Sequence, residues 1–315
     1  MKKLLTLILL LFAANAGAQV KNLYAEARLG YGASFEQKGF NGSFKANHLN
    51  LILEGNITPS ISYFWRQRFN KAFYNPDIPL NATDQLWIRW DINQRWAIQG
   101  GKIALVVGGY EFDDAPIDLY YWSKFADMFP DVYALGANIL FNITPQQQLA
   151  LQVTQSPLGF GASNIFHAGL IWYGRIAPWW KTIWSANWMD DPAHNRLGII
   201  GLGNRFEAGA LAFELDFSYR LNIGRSFPAV YGAILKVNYA LPKWNIFAKG
   251  GVDYNHDCAG DLVPAGTRFF YGGGGVEFFP LENEDIRIHA VGCWNTDVNC
   301  ANMLLGVTYR LRVVK

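Results

Sequence analysis

The sequence predicts an all-β fold: a transmembrane antiparallel β-barrel of about 16 strands, with a long third loop folded into the lumen. Three observations predict it. Apolar and polar residues alternate at every second position along most of the chain. The links between these stretches are alternately short and long. The apolar positions are rich in Trp, Tyr and Phe, while charge is scarce. Of 315 residues, 51% are hydrophobic and 16% aromatic, and only 17% are charged. Ordinary globular proteins carry about 25% charged residues, and disordered chains have few aromatics and high net charge. The 27 basic residues include Lys2 and Lys3, and the remainder equal the 25 acidic ones. An electrostatic partner such as nucleic acid therefore has no support.

Residues 1–18 read as a secretory signal peptide and 19–315 as the barrel. Met1-Lys2-Lys3 is a charged start, Leu4 to Ala14 an apolar run, and Ala16-Gly17-Ala18 a small-residue cleavage pattern. The apolar run is too short to span a bilayer, which takes about 20 residues. No Cys follows the cleavage pattern, so a lipid anchor is not expected.

The strand pattern then begins. Leu23, Ala25, Ala27 and Leu29 alternate with Tyr24, Glu26, Arg28 and Gly30; Leu49, Leu51 and Leu53 with Asn50 and Glu54; Leu86, Ile88 and Trp90 with Arg89 and Asp91. Farther on, Phe213, Leu215 and Phe217 alternate with Glu214, Asp216 and Ser218, and Tyr309, Leu311 and Val313 with Arg310 and Arg312. A period of 2 marks a sheet with one apolar face. The expected strands are 22–32, 46–56, 60–70, 83–93, 95–104, 132–143, 147–156, 164–175, 180–189, 196–204, 208–220, 229–240, 243–254, 267–279, 285–295 and 301–313. An even count suits a single-chain barrel with both termini in the periplasm.

Even-to-odd links are short and mostly carry proline, as in Ile57-Thr58-Pro59, Ile143-Thr144-Pro145, Ile176-Ala177-Pro178, Leu241-Pro242 and Phe279-Pro280. Proline cannot donate to a ladder and marks where pairing stops. The odd-to-even links are longer: 32–45, 71–82, 105–131, 157–163, 190–195, 221–228, 255–266 and 296–300. Short turns at one rim and longer loops at the other are the outer-membrane barrel pattern.

The segment 105–131 is the longest link, and connections of that length are usually functional. Tyr110, Phe112, Leu119, Tyr120, Tyr121, Trp122, Phe125 and Phe129 make it too apolar to lie free in water. It is expected to fold inwards against the wall and narrow the lumen. Its acids Glu111, Asp113, Asp114, Asp118, Asp127 and Asp131 face a single base, Lys124.

The run Gly108-Gly109-Tyr110-Glu111-Phe112-Asp113, with Pro116-Ile117-Asp118 and Tyr120, resembles the corresponding stretch of Bacteroidetes-type porins of the phosphate-selective porin O/P family. The strand count, Lys102 at the end of strand five and the Ile-Thr-Pro turns agree with it. The resemblance implies a trimeric outer-membrane diffusion channel in which the third loop, about 105–131, forms the constriction. Two departures matter. Phosphate-selective members use Lys and Arg at the constriction and this loop is acidic, so phosphate selectivity is not implied. The chain ends Val313-Val314-Lys315 instead of on an aromatic, with Tyr309 the nearest substitute.

Opposite parity to the apolar rows places Arg28, Arg66, Arg68, Arg89, Arg287, Arg310 and Arg312 on the lumen face, as a basic wall. Lys236, Lys249, Arg268, Glu26, Glu54, Asp91, Glu214, Asp216, Asp253 and Glu277 join them. Strand sixteen closes on strand one, so the arginines of strands one, three, four, fifteen and sixteen are neighbours. Either this wall faces the acidic loop (Tyr110, Glu111, Asp113, Asp114, Asp118 and Lys124) across the pore and sets up a transverse field, or ion pairs fix the loop to the wall.

Other signals are weaker. Cys258 or Cys293 is a candidate to bridge Cys300, with one Cys left over. Asp253-x-Asn255-x-Asp257 lacks the glycine and glutamate of a calcium loop, so no metal or other cofactor is expected. His48, His167 and His289 fall on lumen faces with no serine to complete a hydrolytic set, so no catalytic residue is assigned. The expectation is a water-filled channel for small hydrophilic or charged solutes, embedded in outer-membrane lipid. The alternatives are a non-conducting barrel subunit of a larger envelope or export assembly, and an outer-membrane hydrolase.

Overall fold

The structure is a computed structural model and describes residues 19–36, 39–75, 78–222, 230–297 and 300–314. The expected signal peptide lies outside the described residues, as does the side chain of Cys300 on which either disulfide depends. Sixteen antiparallel strands close into one barrel, each bonded to its sequence neighbours and β16 to β1. They are β1 Gln19–Glu36, β2 Gly39–Thr58, β3 Ile61–Arg68, β4 Thr83–Asp91, β5 Trp96–Ala104, β6 Tyr133–Thr144, β7 Gln147–Gln155 and β8 Phe166–Ala177. The second half comprises β9 Trp180–Asp190, β10 Arg196–Ala208, β11 Leu211–Asn222, β12 Val230–Leu241, β13 Trp244–Asn255, β14 Thr267–Phe278, β15 Ile286–Asn295 and β16 Cys300–Val314.

The expected turns close the hairpins. Pro59-Ser60, Pro145-Gln146, Pro178-Trp179 and Pro242-Lys243 each join two strands at one rim. Between β4 and β5 there is no proline. There the Asn93 side-chain oxygen accepts from the Arg95 and Trp96 amides at 2.8 and 2.9 Å, a side-chain mimic of a backbone turn. Aromatic rings gather on the outside at this short-turn rim. Trp96 meets Phe141 and Trp244 meets Phe278, each with centroids 4.5 Å apart, and Trp179, Trp180 and Phe206 stack together. Amphipathic rings at the headgroup level are what a bilayer interface selects. The rows between the rims are outward apolar side chains, such as Leu86, Ile88 and Trp90 on β4 and Leu211, Phe213, Leu215 and Phe217 on β11, all exposed on the barrel surface.

Two expectations are corrected, for the link 32–45 and for Arg268, and the segment 105–131 gains local detail. The link 32–45 is mostly strand, because β1 and β2 continue to Glu36 and Gly39. Cross-strand rings hold this extension together, Tyr31 on Phe44 at 5.5 Å and Phe35 on Phe40 at 5.4 Å. Arg268 shares the outward parity of exposed Phe270, while Phe269 and Tyr271 are the buried, inward neighbours. The segment 105–131 contains two short helices, α1 (Tyr110–Asp113) and α2 (Lys124–Asp127), and a 3-10 turn at Pro116–Asp118.

Gly101 is a point of tight fit in the wall. Its φ is +132°, a conformation that glycine alone adopts readily, and a Cβ there would lie 2.2 Å from the Leu86 carbonyl oxygen. Gly101→Ala is therefore expected to destabilise the refolded barrel by about 2 kcal/mol or more through backbone strain alone. Urea unfolding would register this, and an unchanged midpoint would contradict it.

Candidate functional site: the segment 105–131 and the inner wall

The segment 105–131 packs on inward-facing side chains from β7 round to β1. The chain leaves β5 through Leu105, Val106 and Val107. Gln152 on β7 accepts from the Val106 amide at 3.1 Å and donates to the Ala104 carbonyl at 2.8 Å. Ser185 and Asn187 on β9 both donate to the Val107 carbonyl. Gly108 and Gly109 follow at φ +82° and +91°. A Cβ on Gly108 would sit 2.3 Å from the Ser185 hydroxyl, and one on the facing Gly203 of β10 would sit 2.9 Å from the Gly109 Cα. The Gly-Gly pair therefore turns the backbone and lets it lie directly on the wall.

The Asp216 carboxylate on β11 then accepts from the Tyr110 and Glu111 amides, both at 2.9 Å, and so satisfies the open start of α1. Glu111 is buried. It accepts from the Ser123 amide at 2.9 Å and from the Ser123 hydroxyl, and pairs with Lys249 of β13 at 2.6 Å. Asp114 pairs with Lys236 of β12 at 2.7 Å, and Asp118 with Arg287 of β15 at 2.7 Å. Arg28 of β1 donates to the Ile117 and Leu119 carbonyls at 2.9 and 2.7 Å. Tyr120 donates to Glu277 of β14 at 2.6 Å and lies under both guanidiniums, Arg28 at 5.1 Å and Arg287 at 5.8 Å. The return leg is apolar: its Phe125 and Phe129 pack with Leu105 and Val107 of the outgoing leg, with Met189 of β9 and with Leu197 and Ile199 of β10.

Four groups on the segment, Tyr110, Asp113, Tyr120 and Tyr121, titrate above their usual range, and burial is the main cause for each. Burial pushes the Tyr120 phenol far up, so it remains a donor at any physiological pH. Desolvation by the surrounding protein, together with the neighbouring Asp114, pushes the Asp113 carboxyl up to about 6.

The site residues expected from sequence divide into groups. Arg28 and Arg287 bind the segment directly. Arg66 and Arg68 of β3 do not reach its acids named above. They pair with Asp84 at 3.3 and 3.9 Å, and Arg66 also donates to Tyr133. Arg89 pairs with Asp91, Arg310 with Glu26 and Arg312 with Asp285. Lys124 pairs with Asp297 of the last long loop at 2.6 Å. Lys102 is buried, with Nζ 3.2 Å from the Leu80 carbonyl and 3.7 Å from Asp131. The partners that hold the segment, Lys236, Lys249, Asp216 and Glu277, belonged to the inward parity, but nothing in the sequence distinguished them from the other inward charges.

Residues 22–169 match a family model described as phosphate-selective porin O and P. No curated protein matches the sequence significantly. Among solved structures, the chain is similar to an anion-selective porin from Comamonas acidovorans, with 6% identity, 93% of this chain and 100% of that chain covered, and a TM-score of 0.68. It is also similar to OmpT, an outer-membrane protein of Vibrio cholerae, with 10% identity, 94% and 98% covered, and a TM-score of 0.65. A porin mutant of Rh. blastica aligns with 13% identity, 93% and 100% covered, and a TM-score of 0.56. At these identities the structural matches establish the fold. The barrel has the fold of outer-membrane porins, and residues 22–169 resemble the phosphate-selective porin O and P family.

Proposed function

We propose that the protein is a water-filled diffusion channel for small hydrophilic or charged solutes and that the segment 105–131 is folded into the lumen as its constriction. The observation that carries this reading is the belt of contacts running from Gln152 on β7 to Arg28 on β1. Opposite that belt, a cavity of about 360 Å³ separates Phe112 and Asp113 from Trp87 and Arg89 of β4 and leaves room for a solute. Sixteen strands enclose a lumen wide enough for water. The polar inner face is stable only where water or partners reach it, as in a channel.

The pairings favour the ion-pair account of the acidic loop over a field set up across open water, since Glu111, Asp114 and Asp118 each lie within 2.7 Å of a wall base. The same pairings use the bases that a phosphate-selective constriction would present, so phosphate selectivity is not extended to this chain. Nor does hydrolysis fit the buried His167, which is held between Thr154 and Asn187 at 3.1 and 2.9 Å. A homotrimer within the lipid of the outer membrane is the proposed assembly, by analogy with the OmpT of Vibrio cholerae whose trimer form aligns at a TM-score of 0.64.

The constriction is tested by excision. Glu111 and Ser123 are already hydrogen-bonded, so residues 113–121 are replaceable by a short Gly-Ser link. The shortened channel is expected to conduct roughly twofold more or better and to admit larger polyethylene glycols. An unchanged size cutoff would remove the segment from the constriction.

A further inference from the structure

The two sides of the segment face different chemistry. The cavity between the segment and β12–β15 is lined by Asp114, Asp118, Lys236, Lys249, Glu277 and Arg287. The larger one, against β4–β9, has only Arg89 and Asp113 as charged lining, and Arg89 is held by Asp91 at 2.8 Å. Its polar lining is otherwise the amides of Gln85, Gln99, Asn138 and Gln148 and the Tyr173 hydroxyl, which is bonded to Asp113.

These amides form a fixed row. The ladder registers Arg89 beside Gln99, Gln99 beside Asn138 and Asn138 beside Gln152 across β4 to β7. Asn138 donates to Gln99 and Gln152 donates to Asn138, both at 2.8 Å, while Gln148 donates to Asn142 at 2.7 Å. Each bond fixes the plane of an amide, and an amide carries more donors and acceptors than these bonds use. The spare groups, such as the Gln99 side-chain N–H, meet no partner among the described residues. Above the row Trp87 stacks flat on Phe64, centroids 5.4 Å apart with an interplanar angle of 12°. Its indole N–H donates to Gln85 at 3.1 Å, so the ring is held on one face and at its edge.

A clamped aromatic face beside oriented neutral amides matches a molecule with an apolar C–H face and a rim of hydroxyls. Neutral amides can bond hydroxyls as donors and as acceptors, with no charge to desolvate. The volume falls in the range of small-molecule sites, ~300 Å³ and upwards. Resting on the channel reading, we propose that this cavity is a binding subsite for neutral saccharides in transit, with a sugar ring on Trp87 and its hydroxyls on Gln85, Gln99 and Gln148.

The refolded protein in a planar bilayer tests this, with maltose and cellobiose as neutral probes and gluconate and inorganic phosphate as anionic ones. The disaccharides are expected to interrupt the ion current reversibly and saturably. Trp87→Ala raises the half-blocking concentration about tenfold, whereas Trp87→Phe, which keeps a flat ring, holds it within about twofold. Trp244→Ala on the outer face leaves it unchanged. Open channels that no disaccharide blocks, block by the anions alone, or a half-blocking concentration indifferent to Trp87→Ala would each overturn the subsite while leaving the channel intact. A folded barrel without conductance would instead refute the channel and the subsite with it.

Discussion

Replacing Lys249 by Met is expected to release the segment 105–131 from the wall. Lys249 and Glu111 are a buried pair, with side-chain exposures of 5% and 3%, joined at 2.6 Å. Lys249 also donates to the Tyr121 carbonyl at 3.1 Å and lies over the Tyr121 and Tyr271 rings at 5.5 and 5.8 Å. Without it the Glu111 carboxylate keeps only Ser123 as a donor. Stranding one member of a buried pair costs about 3–5 kcal/mol. The cost falls first on the segment, whose opening leaves the barrel ladder unbroken, so single-channel recordings should show a noisier current with a raised mean. Glu111→Gln combined with Lys249→Met removes both charges and should recover most of the loss. The exposed pair Lys181–Glu207 near the short-turn rim is the control, since both side chains are about a third exposed and such pairs contribute about 1 kcal/mol or less. Equal effects from the two sites would contradict the anchoring role.

Arg220→Leu is expected to be at least as severe, and its effect is pH-dependent. Arg220 is fully buried on β11, 3.1 Å from Asp261 of the loop 256–266 and 3.6 Å from Asp253 of β13. Its guanidinium also lies 4.4 Å from the centre of Phe125 on α2. One cation therefore ties β11, β13, a long loop and the return leg of the segment, and leucine leaves two carboxylates buried without it. The expected loss is again about 3–5 kcal/mol. Burial already raises the Asp261 carboxyl above the ordinary range, and Arg220 is the main group lowering it. Without Arg220 it rises further. A carboxyl whose folded value exceeds its unfolded value costs stability at high pH, and that cost fades as pH falls through the folded value. Urea unfolding should show the Arg220→Leu deficit shrinking from pH 8 to pH 5; a constant deficit would assign Arg220 a packing role alone.

The barrel was legible in the sequence because its signals are local and repeated. A period-2 strand such as Phe213-Glu214-Leu215-Asp216 needs no partner to be recognised, and proline marks the turns. The features that escaped were those in which two segments override the local pattern. On β10 the inward Leu197 and Ile199 are apolar because the segment packs there, so both faces of that strand read as core. Asp84 is reached by Arg66 because the β3–β4 ladder shifts between Arg66 and Gln67, leaving Asp84 outside the regular register. Arg268 was misplaced because it precedes two phenylalanines, either of which fits the outward row. The helices α1 and α2 span only four residues each, too short for a helical period. The acidity of the segment was plain in the sequence. That its acids bond to Lys236, Lys249 and Arg287 depends on which strands the segment crosses, and a linear pattern does not carry that.

Single-channel recording of the refolded protein under a salt gradient tests the central claim most directly. The account predicts stable open steps, grouped in threes for the proposed trimer, with weak ion preference because the charges around the segment are paired. A folded barrel that never conducts would contradict it.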